Sequence, residues 1–264
     1  MSLLSLLLSR SETPNIPPDP EPIVSALTKW KNTLETWEAS PVVIAVAGDS
    51  LTDMDATSIE SPGWSPRLAR KISAQIGAPV SFYDAGESPT WDPSPTREAG
   101  VHLVNVALSG RTSYSYLSGN ALANLIASRP HLVAHQIGVN NYSFTSNSPV
   151  QVVNDIAGRV AKIDADLLAL GHPAPIHALM IQPRRTPPMP ERATDWWDVY
   201  SQELLDLAGK DMERRILVDV DSAFADGEGL RTSDGIHLTA EGYELTASVV
   251  FDALNSQEPN AEGL

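Results

Sequence analysis

Residues 42–47 constrain the fold more than any other part of the chain. Val42, Val43, Ile44, Ala45, Val46 and Ala47 form an unbroken apolar run rich in β-branched side chains. A strand with one wet face alternates apolar and polar residues, whereas a run without alternation belongs to a strand covered on both faces. Such a strand needs neighbours of its own kind and a helical layer on each side. The chain supplies both. Further strand-like runs lie at 101–108, 132–137, 176–181 and 216–220. Segments with apolar residues every three to four positions separate them, at 66–76, 117–128, 150–170 and 195–214, with one more before the first strand (23–38) and one after the last (239–254). Strand–helix alternation with crossovers of this length predicts an α/β fold, a three-layer αβα sandwich around a central, mostly parallel five-stranded sheet.

A length of 264 residues suits one such domain, placed here at 23–255. Before it, residues 1–22 combine a leucine-rich start with a linker containing Pro14, Pro17, Pro18, Pro20 and Pro22, an extended composition that builds little core. Residues 256–264 read as a flexible polar tail. The apolar start has no preceding Lys or Arg and no clear cleavage site, and it is too short to span a bilayer. It therefore reads as a segment that docks on the body, on a partner or on a second copy. The compartment stays open.

Open sheets of this type bind ligands beyond the carboxyl ends of their strands. Four segments there carry chemistry. Gly48-Asp49-Ser50-Leu51-Thr52 follows the first strand and offers a hydroxyl that becomes a nucleophile once a base takes its proton; taken alone, it is equally a turn. Ser109-Gly110 follows the second strand and offers a bare backbone N–H, or a plain helix-entry loop. Gly138-Val139-Asn140-Asn141 follows the third, where an Asn amide either donates to a developing oxyanion or makes an Asx turn. Ser233-Asp234-Gly235-Ile236-His237-Leu238-Thr239 precedes the last helix. Its spacing lets a carboxylate bind one imidazole nitrogen while the other faces a serine.

Together, and in this order, the four segments resemble the four blocks of the SGNH (GDSL-like) hydrolases over roughly 41–254. Gly63-Trp64 adds a less specific likeness. The resemblance implies a flavodoxin-like SGNH fold and a serine esterase. It implies Ser50 as nucleophile, His237 as general base and acid, and Asp234 as the group that orients the imidazole. The oxyanion hole would be the backbone N–H groups of Ser50 and Gly110 with the Asn140 side chain. One position departs from the pattern: the third block usually ends in Asp, where this chain has Asn141.

Trp91, Tyr142, Phe144, Trp196 and Trp197 lie on or beside loops at the same edge and are expected to line a substrate cleft or to pack those loops. The long irregular stretch 84–100 is expected to wall one side. With 33 acidic and 18 basic residues the net charge is −15, which disfavours nucleic acid as a partner and slightly favours neutral substrates. Cysteine is absent, excluding a thiol nucleophile. Asp53, Asp55, Asp219, Asp221 and Asp226 read as solvated turns, and His131, His135, His172 and His177 as structural; no metal and no cofactor are expected. The reading is a serine esterase for short-chain or O-acetyl esters, carbohydrate esters among them. A lysophospholipase or thioesterase of the same family, and a catalytically silent binding module on the same fold, are the alternatives.

Overall fold

A computed structural model describes residues 24–53, 63–187, 195–225 and 229–256. The segment 1–22, all of the tail beyond Ser256, and Asp55 and Asp226 lie outside these residues.

The apolar runs form a single parallel sheet. Its strands are β1 (Val42–Gly48), β2 (Val80–Asp84), β3 (Val101–Asn105), β4 (Leu132–Gln136), β5 (Ile176–Ile181) and β6 (Arg215–Asp219), in the order β2-β3-β1-β4-β5-β6. Every residue of β1, β3, β4 and β5 is buried, as continuous apolar runs require. The sheet has six strands rather than the expected five, because β2 is an edge strand. Its Val-Ser-Phe-Tyr-Asp is half-buried and mixes polar with apolar residues, so it lacks the signature of a covered strand.

Helices cover both faces. On one side α1 (Ala26–Glu35) and α2 (Trp64–Ile76) pack with α8 (Ala240–Asn255); on the other α3 (Asn120–Ser128) and α6 (Trp196–Gly209) pack with α5 (Pro149–Ala169). Two short helices, α4 (Val139–Phe144) and α7 (Val220–Ala223), follow β4 and β6 directly. Local chemistry sets the helix starts. Ser148 accepts from Gln151 N with Pro149 in the first turn of α5, and Thr239 accepts from Gly242 N at the start of α8. Among the described residues no helix is long and apolar enough to cross a membrane.

A buried polar line runs through the β4–β5 half. The Tyr116 hydroxyl donates to His135 Nδ1 (3.0 Å), His135 Nε2 to His177 Nδ1 (3.0 Å), and His177 Nε2 to Asp164 (3.0 Å), which is also bound by Arg214 (2.9 Å). Each ring nitrogen is satisfied, so both imidazoles are structural. Burial holds both pKa values below the ordinary range, His135 well below it; Asp164 partly offsets this at His177.

The strand order fixes the site. From β1 the chain builds β2 and β3 on one side, then returns to place β4 on the other. The loops leaving β3 and β4 therefore diverge on either side of the carboxyl end of β1. Such a switch point is where open α/β sheets bind ligands.

Candidate active site

The turn after β1 is built around Asp49. Its backbone oxygen accepts from Thr52 N and Asp53 N (both 3.0 Å), and its carboxylate accepts from Leu51 N (3.1 Å) and Gln182 Nε2 (3.2 Å). Asp49 is fully buried, and that burial pushes its pKa up to about 6 against the lowering effect of its hydrogen bonds and of His237. Gly48 is required here. A Cβ on it would stand 2.8 Å from Thr52 Oγ1 and closer still to the Gln136 carbonyl oxygen. Gln136 Oε1 accepts from Thr52 Oγ1 (2.6 Å) and Trp64 Nε1 (2.7 Å), joining the turn to β4 and α2. Ser50 leaves this frame at the sheet edge, half-buried.

The segment before α8 is a small antiparallel hairpin. Arg231 bridges Leu238, Thr232 N donates to His237 O (2.8 Å), and Thr239 N donates to Leu230 O (3.0 Å). Its tip turns through Gly235, whose φ of +71° suits glycine. The segment after β5 braces that tip: Thr186 N donates to Gly235 O (3.0 Å), and a Cβ at Gly235 would lie 2.7 Å from the Thr186 carbonyl carbon and nearer to its oxygen.

The hairpin delivers His237 to Ser50. Ser50 Oγ lies 2.9 Å from His237 Nε2, and His237 Nδ1 lies 2.6 Å from Asp234 Oδ2. Asp234 Oδ1 accepts from Thr232 Oγ1 (2.8 Å), Ile236 N (2.8 Å) and His237 N (2.9 Å). Partial burial tends to raise the Asp234 pKa, but the bonds from His237, Ile236 and Thr232 outweigh it and hold the carboxyl well below the usual carboxylate range. The ionised carboxylate accepts Nδ1–H, which leaves the Nε2 lone pair facing the serine hydroxyl.

Gly110 and Asn140 come to the same edge. Gly110 sits in the loop after β3, and Asp53 fixes that loop by accepting from Ser109 N (2.7 Å) and Ser109 Oγ (2.8 Å). Asn140 lies in the first turn of α4 rather than in an irregular loop, and its Nδ2 donates to Arg111 O (2.9 Å). An amide nitrogen carries two N–H groups, so a second donor remains.

For three of the five aromatics the cleft expectation gives way to the packing one. Tyr142, Trp196 and Trp197 are buried, in mutual contact and against Tyr200, with ring centroids 5.1–5.7 Å apart. Large rings bury well against each other, and the cluster packs α6 against α4. Tyr200 Oη donates to Ile137 O (2.5 Å), bracing the entry to α4. Trp91 packs half-buried, edge-on to Tyr83. Phe144 alone of the five is largely exposed.

Asp49 and Gln182 directly follow apolar runs, and Asn105 and Gln136 interrupt theirs; these four polar residues frame the turn. Asn105 Nδ2 donates to Thr52 O (2.6 Å). Of the remaining acids, Asp219 caps α7 and Asp221 pairs with Arg184.

A model of the GDSL-like lipase/acylhydrolase family matches residues 46–245, from β1 into α8. The chain belongs to the GDSL-like lipase/acylhydrolase family. It is an ester hydrolase of that family, and its sheet is the family's α/β sandwich. No protein of curated function matches it in sequence. Several solved structures share the fold. TesA is 21% identical, with 81% of this chain and 97% of that one covered and a TM-score of 0.56. The psychrotrophic esterase EstA from Pseudoalteromonas sp. is 18% identical (81% and 96% covered, TM-score 0.56). A variant of Axe2, an acetyl-xylooligosaccharide esterase from Geobacillus Stearmophilus, is 15% identical (84% and 97% covered, TM-score 0.56).

Proposed function

We propose that the protein hydrolyses short-chain carboxylic esters, O-acetyl groups on carbohydrates foremost, through an acyl-Ser50 intermediate. The unbroken line from Ser50 Oγ to His237 to Asp234, with spacings of 2.9 and 2.6 Å, carries this reading. Ser50 Oγ attacks the acyl carbon as its proton passes to His237 Nε2. Asp234 stabilises the imidazolium without taking the proton. The Ser50 and Gly110 N–H groups and the Asn140 amide receive the oxyanion. Collapse expels the alcohol, which takes the proton from Nε2. Water then repeats the sequence on the acyl-serine, releasing the acid.

The surroundings of Gly110 favour a small or hydroxylated substrate. A cavity of about 560 Å³ opens beside it, lined by Asp53, Asp84, Glu87, Ser88 and Arg111 among others. A long acyl chain gains about 0.8 kcal/mol per buried methylene only against an apolar wall. These carboxylates and hydroxyls instead suit sugar hydroxyls and repel anionic head groups. The acetyl-xylooligosaccharide esterase among the structural neighbours agrees with this direction.

A p-nitrophenyl ester series tests the reading. Turnover is expected on acetate, to fall as the acyl chain lengthens, and to vanish in Ser50→Ala. A maximum at long chains would move the function to lysophospholipid or thioester hydrolysis. Folded protein that takes no fluorophosphonate at Ser50 would leave only a binding module.

A further inference from the structure

Asn141, the departure from the family pattern, lies next to Asn140 in the first turn of α4 and is fully buried. Its Oδ1 accepts from the backbone N–H of Ser113 at 2.9 Å. That amide can only donate, so the side-chain oxygen must face it. The nitrogen is thereby aimed at Ser113 Oγ, 3.0 Å away, and donates to it. The hydroxyl proton must then go elsewhere, and it goes to Asp155 Oδ2 on α5 at 2.7 Å. Gln151 Nε2 donates to the other Asp155 oxygen at 2.9 Å. The direction of each of these bonds is fixed.

The chain ends on the segment that carries Gly110. Asn140 grips Arg111 through its carbonyl, and Asn141 grips Ser113 through its amide, one and three residues beyond Gly110. One helical turn thus supplies one oxyanion donor and holds the loop bearing another. We infer that Asn141, backed by Asp155, is a positioning residue that sets the Gly110 N–H against the Asn140 amide. The inference rests on the esterase reading above.

The fixed bond directions supply the test. A carboxylate at position 141 only accepts, so the single Ser113 hydroxyl proton would face two carboxylates and could serve only one of them. Asn141→Asp should lower kcat on p-nitrophenyl acetate about tenfold or more with KM changed less than about threefold, because a displaced oxyanion donor is missed mainly in the transition state. Asp155→Asn alone should stay within about threefold of the parent, since its half-exposed amide can turn its oxygen to Ser113. The double variant reverses the polarity of the chain. Ser113 N and Oγ both donate to the carboxylate at 141, and the amide at 155 donates to Ser113 Oγ. Its kcat should return to within about threefold of the parent, a coupling that independent effects would not give. The ratio of Asn141→Asp to parent kcat should also rise as pH falls, because a protonated carboxyl again donates.

Parental kcat in Asn141→Asp, a double variant no faster than it, or a ratio flat with pH would each overturn the inference. If Asn141→Asp does not fold, the double variant decides: a folded, active protein supports the inference, and an unfolded or inactive one overturns it. A parent lacking Ser50-dependent turnover would defeat the esterase reading itself, whereas an active parent without recovery in the double variant defeats this inference alone.

Discussion

Gly235→Ala probes how the hairpin aims its imidazole. An added Cβ would lie 2.7 Å from the Thr186 carbonyl carbon, whereas non-bonded carbons settle at about 3.5–4.0 Å. The Thr186 oxygen is nearer still, so hairpin and brace must separate by more than about 1 Å, and the Thr186 N to Gly235 O bond is stretched or lost. Alanine at a φ of +71° adds about 1–2 kcal/mol of backbone cost, and the lost bond about 0.5–1.5 kcal/mol. Together these predict about 1.5–3.5 kcal/mol of lost stability. The functional loss is larger in kind, because His237 is two residues away and must stay in hydrogen-bond reach of Ser50. A 1 Å misplacement costs about 100-fold in rate, or about 2.7 kcal/mol of transition-state stabilisation. The assay is p-nitrophenyl acetate hydrolysis beside thermal unfolding, with Gly171→Ala as control. Gly171 shares a φ of +75° at the end of α5, and a Cβ there meets nothing within 4 Å. The control should lose stability and keep kcat. Gly235→Ala within about threefold of the control in kcat would refute positioning of the hairpin by the Thr186 brace.

Two more outcomes follow from the same geometry. Asn140→Ala should cut kcat about 100- to 1,000-fold with little change in KM, as expected for a donor used in the transition state; an equal rise in KM would assign it to ground-state binding. Stability should fall on mild acidification. His135 and His177 are held below their ordinary range, so below about pH 6.5 the unfolded chain takes up protons that the native state refuses, at up to about 1.4 kcal/mol per pH unit for each imidazole. Asp49 acts with the opposite sign below its shifted value of about 6, where the native state keeps a proton that the unfolded chain releases. Two imidazoles act against one carboxyl, so a net loss continues below that value. Equal urea midpoints at about pH 7.5 and 5.5 would refute this.

The covered strands and the order of the four chemical segments were legible because burial on both faces leaves an unmistakable run, as at Val42–Gly48. The edge strand β2 was not, since a half-wet strand writes a mixed pattern. Trp196 and Trp197 misled because position near a ligand edge says nothing about which way a ring turns; their partner Tyr200 sits one helical turn along α6, a periodicity visible only once α4 is known to cross it. Asn141 shows a different limit. Its sequence marks a lost charge, but the compensating Asp155 lies in another helix, and only the tertiary contact through Ser113 joins them.

Two carboxylates flank Ser50 in the chain or in space, and their surroundings differ. Asp49 precedes Ser50 directly, yet it is fully buried and its pKa is pushed up to about 6. Both of its oxygens are occupied, by Leu51 N and Gln182. It shapes the turn, and it reaches His237 only through space, without a hydrogen bond to the ring. Asp234 has the opposite setting: half-exposed, with three donors on one oxygen and His237 on the other, its carboxyl is held well below the usual carboxylate range. Divergent environments around paired acids identify which one serves the base. On the proposed mechanism the serine therefore acts through the distant hairpin and not through its own neighbour, so the Thr186 brace at Gly235, far from Ser50 in sequence, is expected to govern the rate.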